Sequence, residues 1–135
     1  MMIQFRRTNP VLCANYFYQG RDYVGSGKPD ISFHGTQLWA PDFSAGSRCL
    51  AFWLCGKHTQ GQQRDIYVAI NMYWEGLPYQ LPTLGQGECW KVAVNTSMPE
   101  PEDIFEMSQA PSLDGLQEVI VGPRSVMVLV ADARD

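Results

Sequence analysis

Apolar residues recur along the second half of this chain with the period of two that a β-strand imposes. Asp65–Met72 sets Ile66, Val68 and Ile70 on one face against Tyr67 and Ala69 on the other. Cys89–Asn95 sets Trp90, Val92 and Val94 against Lys91 and Ala93. Cys49–Cys55 is a near-continuous apolar and aromatic run, and Leu77–Leu81 is a short strand held between Gly76 and Pro82. Gln117–Val121 and Ser125–Ala131 close the chain, with Gly122-Pro123 turning between them. Val126 to Val130 is apolar at every position, so that strand is covered on both faces and lies inside a sheet. Short strands divided by turn chemistry predict an all-β fold, an antiparallel β-sandwich of Greek-key type.

The first residues read differently. Met2, Ile3, Phe5 and Arg6-Arg7 have the character of the last turns of an amphipathic helix, with no capping residue ahead of them. Thr8-Asn9-Pro10 ends that short N-terminal helix, because a residue before proline is pushed out of helical geometry. A helix with an end but no marked beginning is expected to continue an element of a longer chain. Gln19 to Pro41 is punctuated by glycine and proline, which predicts loops and turns with short strands between them. Pro99 to Asp103 reads as an acidic, solvated connection.

A chain of 135 residues carries one hydrophobic core. Charged residues make up 18% of it, against roughly 25% in soluble domains, while six Phe, six Tyr and four Trp supply many large rings. That balance predicts either apolar surface turned towards another body or a dense core. A net charge of -4 argues against nucleic acid, which demands clustered Lys and Arg. No apolar run is long enough to span a membrane and no signal peptide is legible, so a cytoplasmic location is expected. Cys13, Cys49, Cys55 and Cys89 show no metal-ligand spacing with each other or with His34 and His58. They are expected to be reduced structural thiols, with no metal and no cofactor.

Catalytic chemistry is hard to find. Asp30, Asp42, Asp65, Glu75 and the Glu100–Glu106 cluster offer no spacing that singles out an acid–nucleophile pair. Asp30 and Asp42 flank prolines, where carboxylates accept backbone hydrogen bonds. Ser26 lies between glycines but lacks the pattern of a nucleophile elbow. Gly20 to Gly27 lacks the Gly-Lys-Ser/Thr ending of a phosphate loop. His34 and His58 are expected in glycine-adjacent loops as solvated or turn-stabilising residues.

Gly27-Lys28-Pro29-Asp30-Ile31-Ser32-Phe33-His34-Gly35 and then Leu38-Trp39-Ala40-Pro41-Asp42-Phe43-Ser44 form the most specific motif. It resembles a signature found after the catalytic barrel in isoamylase-type and glycogen debranching enzymes of the α-amylase superfamily: Pro-Asp-Ile/Val-Ser/Thr-Trp/Phe, His-Gly, Pro-Asp-Trp-Ser. Leu50 to Gly56, Asp65 to Glu75 and Leu77 to Pro82 resemble that family's following strands and loop in the same order. Phe43 stands where the family more often has Trp, and Asn71 to Glu75 is closer to the bacterial debranching form.

The resemblance implies that residues 1–14 are the tail of the last barrel helix and a linker, and that residues 15–135 are a C-terminal sandwich. It further implies that the nucleophile and acid lie upstream, so that the chain holds no catalytic residue and its partner is a (β/α)8 barrel of the same parent. That barrel would hydrolyse α-1,6 branch linkages. Alternatives are a stand-alone α-glucan-binding module or an oligomerisation domain. For glucan contact, Trp74, Tyr73 and Trp39 are the candidates, since flat rings match the C–H faces of glucose.

Overall fold

A computed structural model describes residues 1–13, 17–58 and 64–134. Helix α1 (Met2–Thr8) is followed by a 3-10 turn at Pro10–Leu12 and seven strands. These are β1 (Ile31–His34), β2 (Cys49–Leu54), β3 (Ile66–Asn71), β4 (Leu77–Gln80), β5 (Glu88–Asn95), β6 (Glu118–Val121) and β7 (Ser125–Ala133). Five of them form one antiparallel sheet in the order β1-β2-β3-β7-β5, and β4 and β6 form a second. The chain crosses to the small sheet twice, and β7 returns to fill the place between β3 and β5. The expected antiparallel β-sandwich with a short N-terminal helix is the observed fold.

The inner face of the large sheet carries Ala51 and Trp53, Tyr67 and Ala69, Trp90 and Val92, and Met127, Leu129 and Ala131. Tyr79, Leu81 and Val121, from the small sheet and its margin, close this core. Burying each large side chain stabilises the fold by about 1.5–3 kcal/mol. The outer face carries the alternate residues. One row across it, Ile31, Leu54, Ile66 and Val130, is set by strand register and is packed by Val11 from the N-terminal segment. Asn9 is buried there too, its Nδ2 donating to the Phe5 carbonyl at 2.8 Å.

Two readings of the pattern need correction. Alternation along β5 breaks at Ala93, where a bulge lies between Val92, opposite Leu129, and Val94, opposite Val128. Val94 therefore joins the outer cluster while Trp90 and Val92 face the inner core. Lys91 is buried, its Nζ 3.5 Å from Asp132. The second correction concerns His34, placed by sequence in a loop. It ends β1 and is completely buried. Strand β1 is short and framed by glycine and proline, so its periodicity was too brief to separate from its turns.

Beyond the acidic loop, residues 103–113 run along the free edge of β5. Asn95 N–H donates to Asp103 O at 2.8 Å, Phe105 N–H to Ala93 O at 2.9 Å and Val92 N–H to Pro111 O at 2.9 Å. An edge that would otherwise template pairing with another chain is covered.

Candidate functional site

The motif residues are brought together at the β1 edge of the sandwich, and their geometry is that of a lock. Asp30 accepts backbone N–H groups from Gln19, Gly20, Arg21 and Ile31 at 2.8–3.1 Å. Burial raises its pKa, but those donors outweigh burial and the net shift is downward. Asp42 accepts the Ser44 N–H at 3.0 Å, and bonding from the Ser44 side chain and backbone lowers its pKa. Both carboxylates thus hold turns, as their neighbouring prolines predict.

His34 is the centre of the lock. Its Nδ1 lies 2.8 Å from the Trp39 backbone N–H, which can only donate, so Nδ1 is unprotonated. Nε2 then carries the proton and donates to Ser32 Oγ at 2.8 Å. Burial drives the His34 pKa down to about 4. The contact fixes Trp39 at φ 61°, a left-handed geometry uncommon for a residue with a side chain. A Cβ on Gly35 would lie 2.7 Å from Ala40 O, which explains the His-Gly pair: the ring anchors the loop and the glycine lets it close.

The candidate sugar-contact rings are divided between two places. Trp39 packs edge-on to His34 with centroids 4.5 Å apart and lies 6.4 Å from Trp53, while remaining 58% exposed. Tyr73 and Trp74 form a T-shaped pair at 5.8 Å in the β3–β4 connection, and Trp74 is 66% exposed. Phe43 is 70% exposed, and its ring meets Phe33 at 5.9 Å.

One constellation was not legible beforehand. His58 Nε2 lies 3.3 Å from Ser26 Oγ and 3.5 Å from Asp22 Oδ1, which superficially resembles a nucleophilic triad. The geometry cannot perform that chemistry. A triad uses the two ring nitrogens separately, whereas here serine and carboxylate share one. That nitrogen also lies 2.8 Å from Lys28 O, so it carries a proton and cannot accept the serine's. Nearby Cys55 is held as a thiol, its pKa raised by burial and by Asp65. Asp65 itself receives Trp53 Nε1–H at 3.0 Å and Gly56 N–H at 2.8 Å. Cys55 lies just past the end of β2, buried as a small apolar group. Among the described residues, the four cysteines are free and no group of His, Cys, Asp and Glu is placed to hold a metal ion.

A family model for the C-terminal domain of isoamylases 1-3 matches residues 32–124, which takes in His34, Trp39 and every strand from β2 to β6. This chain is an isoamylase C-terminal domain. It is 29% identical over 103 residues to the chloroplastic isoamylase 3 of Oryza sativa subsp. japonica, a match covering 76% of this chain. The aligned part is 11% of that protein's length, so the chain spans a small fraction of its relative. In this isoamylase domain, the motif's Asp30, His34 and Asp42 hold backbone, and Gly35 lets the loop close. Among the described residues, no helix is long and apolar enough to cross a membrane.

Proposed function

We propose that this chain is the non-catalytic, structural tail of a cytoplasmic isoamylase-like glycogen debranching enzyme, and that its outer sheet face packs on the catalytic barrel. The reading rests on the outer face. Beyond the row buried by Val11, register aligns Phe33, Phe52, Val68, Val128 and Val94 in a second row, and Leu50, Ile70 and Val126 in a third. Phe33 is 42% exposed and Phe52, Val68, Val128, Leu50, Ile70 and Val126 are half-buried, while Val94 at the end of the second row is buried. Soluble monomers rarely leave so continuous an apolar surface to water.

The N-terminal segment supports the barrel as the occupant. Residues 1–14 are proposed to continue the last barrel helix, and Val11 in that segment already lies on this face. A barrel attached through the segment would meet the open rows beside it. Its nucleophile and acid would cleave α-1,6 branch linkages, and residues 15–135 would cover hydrophobic surface.

The test is the mass of the native polypeptide, probed in source lysate with an antibody to this chain. A barrel adds about 250 residues or more, so a band several times larger than 15.2 kDa is expected. A band near the mass of the chain alone would overturn the proposal. A second reading, that the domain also holds α-glucan, is favoured by Trp74: its indole is solvent-facing and braced by the Tyr73 ring.

A further inference from the structure

The two sheets are unequal, and this leaves a cleft. Strands β4 and β6 pair as far as Gln80 opposite Glu118, and Leu81 N–H still reaches Gln117 O at 2.9 Å. Past that point the segments diverge, 81–84 to one side and 113–117 to the other. Together with the end of β5 they enclose about 740 Å³, within the range of small-molecule sites.

Trp90 holds both walls. Its indole Nε1–H donates to Pro82 O at 2.8 Å on one side, and its backbone carbonyl accepts Leu113 N–H at 2.8 Å on the other. The cleft is therefore preformed, spaced by the two ends of one buried residue. Its lining is mixed and more polar than apolar: Leu38, Leu84 and Leu116 stand among polar groups, and Asp114 and Arg134 pair at 3.0 Å. Glu88 and Glu118 also line it, so carboxylates outnumber the single guanidinium and an anionic ligand is disfavoured. A carboxylate beside a guanidinium offers acceptors and donors side by side, the complement of adjacent hydroxyl groups. A mixed lining with that pairing fits a neutral polyhydroxylated chain, whose rings carry C–H faces and hydroxyl edges.

We infer that the cleft between the splayed ends of β4 and β6, spanned by Trp90 and bordered by Asp114 and Arg134, is a binding site for a carbohydrate chain. The inference rests on the α-glucan reading above and adds a contact in the cleft, apart from Trp74. The lining comes from the small sheet, the inner face and adjoining loops, so a barrel seated on the outer face leaves the cleft open.

The 135-residue chain, labelled with nitrogen-15, is titrated with millimolar maltoheptaose and followed by amide correlation spectra. Shifts are expected in residues 81–84, 88–90 and 113–117. Arg134→Ala is expected to weaken affinity about tenfold, from loss of charge-assisted hydrogen bonds. Shifts confined to Tyr73 and Trp74, or an unaltered affinity in Arg134→Ala, would overturn the cleft and keep the glucan reading. Saturating concentrations without any shift would overturn both, while the large native polypeptide would stand independently.

Discussion

Acidification should unfold this domain through His34 before it acts through the carboxylates. In the folded chain His34 Nδ1 accepts the Trp39 N–H, and protonating it would set two N–H groups against each other inside the protein. Its folded pKa is about 4, against about 6.5 when unfolded. A depressed folded pKa contributes stability present above the unfolded value and lost as pH falls towards the folded one. Comparing protonation of the two states at about pH 7 and about pH 4.5 gives a loss on the order of 2–3 kcal/mol.

The lowered pKa values of Asp22, Asp30 and Asp42 act in a different window. Their stabilisation fades only as pH falls below the unfolded carboxylate value of about 3.9. Urea titrations followed by tryptophan fluorescence at the two pH values measure the His34 contribution. His34→Gln keeps an acceptor and a donor without titrating, so it should lose much less on acidification than the parent chain. The reasoning is refuted if both lose the same amount, or if His34 titrates near its unfolded pKa in NMR spectra of the folded chain.

Other consequences follow from single contacts. Asn71 Nδ2 lies 2.9–3.1 Å from the carbonyls of Glu75, Val121 and Gly122, and its Oδ1 accepts the Tyr73 N–H, so it joins the two sheets. Asn71→Leu, which leaves these groups buried and unpaired, should cost about 3 kcal/mol in chemical denaturation. Gly35→Ala should cost about 1–3 kcal/mol, because the Ala40 carbonyl must retreat from the added methyl; thermal melting measures it. Hydrogen exchange should be rapid at Ile3 to Phe5, in a helix with no buried residue and no side-chain N-cap bond, and slow across Ile66 to Asn71. Protection of Ile3 to Phe5 equal to that of β3 in the monomeric chain would contradict this.

Strand content, antiparallel class and an interior β7 were legible in the sequence because side chains alternate along a strand whatever lies around it. Asp30 and Asp42 were legible as turn residues for a similar reason: a carboxylate beside proline meets its own local backbone. The family, too, could be read from the Pro-Asp, His-Gly and Pro-Asp-Phe-Ser segments. What periodicity does not contain is which neighbour each face meets. The Ile66-Val68-Ile70 face looks more hydrophobic than Tyr67-Ala69, yet Tyr67 and Ala69 face the closed core while Val68 and Ile70 stay half-exposed. His34 looked like a loop residue because its partners, the Ser32 hydroxyl and Trp39 amide, are set by strand ending and loop return together. The cleft was invisible for the same physical cause. It exists because two paired strands diverge over a wider sheet, and only their relative placement fixes the space between them.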